Sequence, residues 1–143
     1  MKVLFVCTGN TCRSPLAAEI GRVMAEDRGL DYTFSSAGIY ADIGCFASMG
    51  SIDAAQAFGG DLSYHQATSL TEDMIEDADL VLTMTQGHKN TLVLKHPQYK
   101  DKIFTIKEYA GESGDIDDPF GQGVEVYNQV AEEIAGLLNK ILK

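Results

Sequence analysis

Four short apolar runs alternate with segments of helical periodicity, and that alternation leaves few folds open. The runs are Lys2–Val6, Tyr32–Ser36, Leu80–Met84 and Ile103–Thr105. After the first, Leu16, Ile20, Val23 and Met24 recur at helical spacing, with Pro15 placed as a first helical residue. Ser48–Phe58 reads as a helix ended by Gly59-Gly60. Thr71 is a natural N-cap for a short helix. Thr85–Leu94 reads as a helix stopped near Pro97, and Val126, Val130, Ile134, Leu137, Leu138 and Ile141 form the apolar stripe of a long terminal one. Strands separated by helices pair in parallel, with the crossovers covering both faces of the sheet. The expected fold is therefore α/β: a single doubly wound domain over residues 1–143, with a four-stranded parallel sheet flanked by helices. A chain of 143 residues buries enough core to need no disulfide support.

The three cysteines, Cys7, Cys12 and Cys45, are too few and too odd in number for a disulfide scaffold. The apolar opening is too short for a secretory signal, and no run approaches the ~20 residues of a membrane span. A cytoplasmic location away from membranes is expected. His65, His88 and His96 are scattered, so no ligand spacing points to a metal. The formal charge of −10 opposes binding to nucleic acid or to an anionic membrane, and would welcome a cationic substrate.

Ligands of such sheets bind beyond the carboxyl ends of the strands. The first strand ends at Cys7, and the segment there reads Cys7-Thr8-Gly9-Asn10-Thr11-Cys12-Arg13-Ser14-Pro15. A loop between a strand and a helix N-terminus turns backbone N–H groups toward one spot, and the helix dipole adds positive potential. Gly9 lets the backbone curl around a ligand, and Arg13 offers a planar fork for two phosphate oxygens. The same field favours the ionised form of Cys7, the nucleophilic one, and Ser14 can donate to it. The Lys-Ser/Thr pair of a nucleotide-binding loop is missing. Taken alone, Cys7 is as well explained by burial.

The segment Val6–Pro15 resembles the phosphate-binding loop of the low-molecular-weight protein tyrosine phosphatases, whose pattern is Cys, five residues, Arg, then Ser or Thr. The likeness runs through nearly the whole chain: Ser35-Ser36-Ala37-Gly38 resembles that family's Ser-Ala-Gly turn, and Asp117-Asp118-Pro119-Phe120-Gly121 its late Asp-Pro loop. The resemblance implies that Cys7 attacks phosphorus to form a phosphocysteine. Arg13 and the amides of Thr8, Gly9, Asn10, Thr11, Cys12 and Arg13 would hold the phosphoryl oxygens. Asp118 would protonate the leaving atom and then activate water. Ser36 would hold Asn10, and Tyr40 and Phe120 would wall the substrate side chain. Cys12 stands where it could capture oxidised Cys7 as a reversible disulfide. Cys45 and His65 gain no role from it.

Thr11 stands where most tyrosine-directed relatives carry a larger aliphatic residue. A bacterial branch that acts on protein phosphoarginine carries threonine there, and stretches between Leu70 and Gly121 also resemble that branch. Protein arginine phosphatase is the preferred reading and protein tyrosine phosphatase the second. A thioredoxin-coupled arsenate reductase would need further cysteines late in the chain, and none follows Cys45. A noncatalytic phosphate-binding module would have no need of both nucleophile and acid. Phosphorylated proteins are the expected partners, phosphate-like anions the expected inhibitors, and no cofactor is implied. Residues 41–47 depart from the family's proline-containing stretch, and the tandem tyrosines of animal relatives are missing from the Asp-Pro loop.

Overall fold

The computed structural model describes residues 1–143. In chain order the elements are β1 (Lys2–Cys7), α1 (Arg13–Asp27), β2 (Thr33–Gly38), α2 (Met49–Ala57), α3 (Glu72–Asp77), β3 (Leu80–Thr83), α4 (Gln86–Lys95), β4 (Ile103–Thr105), α5 (Ile106–Tyr109) and α6 (Val124–Ile141). A 3-10 turn, Pro97–Lys102, leads into β4. The four strands form one parallel sheet in the order β2-β1-β3-β4.

The sequence of β1 explains its central place. Val3, Phe5 and Cys7 point to one face of the sheet, into a cluster with Leu16 and Ile20 of α1, Ala54 and Ala55 of α2, and Ile134 and Leu138 of α6. Leu4 and Val6 point to the other face, against Ile75 of α3 and Leu92 of α4. A strand apolar on both sides belongs inside a sheet covered on both sides. Leu4 and Phe5 are fully buried, and each contributes about 1.5–3 kcal/mol by leaving water. This alternation also brings Cys7 out on the α1 side, at the carboxyl end of the strand.

Several boundaries differ from the sequence reading. α1 begins at Arg13, so Pro15 is its third residue; a first-turn N–H has no helical partner, and losing it there costs no bond. β2 runs on to Gly38 because its last residues pair with Val6 and Cys7. Thr71 is the expected N-cap, while Ser48 and Thr85 are N-caps rather than first helical residues; each accepts from an amide three residues on. The one-turn α5 was not expected; a reciprocal cap between Thr105 and Glu108 holds it. In α6, Tyr127 joins the buried stripe, while Val126 is only half-buried. No helix is long and apolar enough to cross a membrane.

Candidate active site

Residues 8–12 link β1 directly to α1. Cys12 occupies the N-cap position with φ −122° and makes no side-chain cap. The first-turn amides of α1 are therefore unclaimed within the helix, and they open toward the loop with the positive end of the dipole. The loop closes around a pocket of about 210 Å³ lined by residues 7–13 together with Asp118 and Phe120. The strand-end loop and the Asp-Pro loop, read separately from the sequence, thus meet at one place.

Asn10 organises the loop. It is wholly buried and is the one non-glycine residue in the left-handed region, at φ +58°. Asparagine tolerates that region better than most residues, and here every polar group it has is paired. Its Oδ1 accepts from the Thr68 amide at 2.9 Å, and its carbonyl oxygen accepts from His65 Nε2 at 2.8 Å. Its Nδ2 donates to Ser14 Oγ at 2.8 Å and to Ser36 Oγ at 2.9 Å. Because Ser14 Oγ already accepts from Asn10, its own hydrogen is free for Cys7 Sγ, 2.8 Å away. The Asn10 amide also donates to Cys7 Sγ, at 3.3 Å. The Cys7 sulfur thus has two donors directed at it, the Ser14 hydroxyl and the Asn10 amide.

Arg13 is buried and donates from Nη1 to the Ile116 carbonyl at 2.9 Å. That bond fixes the plane of the guanidinium at the pocket floor. Its Nη2 lies 3.8 Å from Asp118 Oδ2. Asp118 Oδ1 accepts from the Phe120 amide at 3.1 Å, so the Asp-Pro turn is closed by its own carboxylate and leaves Oδ2 facing the pocket. The Asp118 side chain is 54% exposed, open enough to exchange protons with solvent.

Other expected residues lie where their chemistry places them behind or beside the pocket. Thr8, Gly9, Asn10, Thr11 and Cys12 line it. Ser14 and Ser36 do not; they support Cys7 and Asn10 from behind. Tyr40 lines the groove that adjoins the pocket, and Phe120 lines both. The Ser-Ala-Gly turn has a steric cause, since a Cβ at Gly38 would stand 2.6 Å from the Thr8 carbonyl oxygen. Cys12 Sγ packs against Ser48 Oγ at 3.3 Å and Tyr127 Oη at 3.5 Å, and all three cysteines are free thiols.

Two histidines support the loop from behind. His65 supports Asn10, as described. His88, at the start of α4, bonds Thr8 Oγ1 through Nε2 at 2.8 Å, while its Nδ1 is buried without a partner. Burial and the nearby Arg13 charge keep the ring neutral, with a pKa lowered to about 4, against a weaker opposite pull from Asp115 and Asp118. The folded state therefore disfavours the protonated ring. Its contribution to stability is complete above the unfolded value near 6.5 and is lost as pH falls toward 4. Between pH 7 and pH 5 the parent is expected to lose ~1–2 kcal/mol from this group, after discounting for solvent screening. Urea unfolding of His88→Asn at the two pH values checks this: the variant's stability should fall by correspondingly less.

The low molecular weight phosphotyrosine protein phosphatase family matches residues 2–143, and the chain belongs to that family and is a phosphatase. The protein-arginine-phosphatase of Bacillus subtilis (strain 168) is 41% identical over 145 residues, spanning 100% of this chain and 95% of the relative. The crystal structure of a low molecular weight protein tyrosine phosphatase from T. tengcongensis superposes with a TM-score of 0.96 at 48% identity, covering 99% of this chain and 97% of that one. A structure of the YwlE arginine phosphatase, in a cysteine-to-serine variant with a phosphorylated active-site serine, superposes with a TM-score of 0.94 at 40% identity. It covers 99% of this chain and 93% of that one.

Proposed function

We propose that this phosphatase works through a phosphocysteine on Cys7 and that its substrate group is phosphoarginine in proteins. The phosphoryl group sits in the loop, its oxygens on the amides of residues 8–13 and on the Arg13 fork. Cys7 Sγ forms a bond to phosphorus as the phosphorus–nitrogen bond breaks, and Asp118 gives its proton to the departing nitrogen. The ionised Asp118 then takes a proton from water, whose oxygen displaces sulfur and releases phosphate. The phosphorylated serine in the YwlE variant supports attack from this loop position. Inorganic phosphate and vanadate should compete for the same amides.

The observation that favours phosphoarginine is the pocket mouth. It carries the Thr11 hydroxyl and the Asp118 carboxylate, with Phe120 as the aromatic side chain nearest them and Tyr40 on the adjoining groove. Thr11 Oγ1 has only the Cys12 thiol beside it, at 3.8 Å, so its hydrogen-bonding capacity is open to a ligand. A flat, polar guanidinium can pair with that carboxylate and hydroxyl, and a phenyl ring cannot. The relative named for tyrosine phosphatase activity keeps phosphotyrosine as the second reading.

The test is kcat/KM on matched peptides carrying phosphoarginine or phosphotyrosine. Phosphoarginine is expected to win by more than about a hundredfold, equivalent to roughly 2.7 kcal/mol of transition-state discrimination. Thr11→Ile should cut that ratio at least ~10-fold by closing the mouth with an apolar group. A parent that prefers phosphotyrosine, or a ratio unmoved by Thr11→Ile, would overturn the assignment.

A further inference from the structure

Beside the pocket lies a groove of about 370 Å³ that shares Thr11 and Phe120 with it, so the two form one continuous depression. Its far wall is Tyr40, Asp42 and Phe46, from the stretch where the chain departs from the family pattern. Of the six phenylalanines only Phe46 and Phe120 are exposed, at 65% and 70%, and both line this groove; Tyr40 beside them is 74% exposed. Aromatic rings gathered in the open at the mouth of a site are a binding surface rather than a packing accident. The wall is also preformed. The Gly44 amide donates to the Ala67 carbonyl at 3.0 Å, the Ala67 amide to the Cys45 carbonyl at 2.7 Å, and Phe46 bridges Gln66. Gly44, at φ +88°, supplies the turn that this path needs.

Asp42 is the only charged residue lining the groove. Three aromatic faces around one carboxylate suit a side chain with an apolar stem and a cationic head. We propose that the groove binds the residue next to the phosphorylated one in the protein substrate, and that it selects arginine or lysine there. The stem lies on Phe46 and Tyr40, the head pairs with Asp42, and the chain's −10 charge favours approach of such a segment. This rests on the phosphatase reading, though not on which residue carries the phosphoryl group.

The experiment compares kcat/KM for phosphopeptides that differ only in the flanking residue, arginine, leucine or glutamate, on the parent, Asp42→Asn and Phe46→Ala. p-Nitrophenyl phosphate, which has no flanking residue, is the control. The parent should prefer arginine over glutamate by ~10-fold or more, chiefly through KM. Both variants should cut that preference to below about threefold and leave p-nitrophenyl phosphate turnover unchanged. Leucine peptides equal to arginine ones, with Asp42→Asn silent, would make the groove an apolar subsite and overturn the cationic assignment. No flanking preference in a parent active on p-nitrophenyl phosphate overturns the groove alone. A parent inactive on p-nitrophenyl phosphate and on every phosphopeptide overturns the phosphatase reading and this one with it.

Discussion

Cys7→Ser is expected to reduce steady-state turnover by at least ~10⁴-fold while phosphate binding persists, because nucleophile and cradle are separable. Serine fits the space, since Cys7 is buried among Ser14 Oγ and the Asn10 amide and a smaller atom needs no rearrangement. A serine hydroxyl in the same place is a far weaker nucleophile toward phosphorus than a cysteine sulfur. Once formed, a phosphoserine ester also leaves less readily than a phosphorylated thiol, so hydrolysis is slowed a second time. The amides and Arg13 remain, and vanadate or phosphate affinity should change by less than about threefold. Single-turnover kinetics with isothermal titration of phosphate checks both halves. Turnover within tenfold of the parent would remove Cys7 from the chemistry.

Asp118→Ala is the second large effect: a loss of ~10²–10⁴ in kcat on a phosphoarginine peptide, the range for one general acid–base group. The size should follow the leaving group. Nitrogen needs a proton to depart, while p-nitrophenolate does not, so the loss on p-nitrophenyl phosphate should be at least ~10-fold smaller. The substitution also removes the carboxylate 3.8 Å from Arg13 Nη2. That change frees the guanidinium for phosphate, so KM should not rise. Arg13 stays anchored to the Ile116 carbonyl, which keeps the floor of the pocket intact. Equal losses on both substrates would argue against proton donation by Asp118.

Much of this architecture is readable from local chemistry. The apolar run Lys2–Val6 reads as a buried strand and Thr71 as an N-cap, and both are so in the fold. The Thr105-x-x-Glu108 pattern carries the same kind of signal, but it follows a three-residue strand immediately, which masks the one-turn helix. The loop and Asp118 were legible because each is a short pattern with its own chemistry. What escaped depends on residues far apart in sequence: His65 and Asn10 are 55 apart, His88 and Thr8 are 80 apart. No local propensity encodes such pairs. The shape of the groove beside Tyr40 depends in the same way on how residues 41–47 cross to Ala67.

Asn10 carries a consequence for the order in which the protein becomes an enzyme. Its left-handed turn is held by Ser36, His65 and Thr68, and Arg13 is held by the carbonyl of Ile116. The nucleophile stands early in the sequence, yet its donors are in position only when the middle of the chain has docked, and its acid stands more than a hundred residues further on. An incomplete chain therefore presents an ordinary cysteine, without a cradle or a proton source beside it. Reactivity arrives with the finished fold, and a nascent or partly unfolded copy is a poor phosphatase by construction.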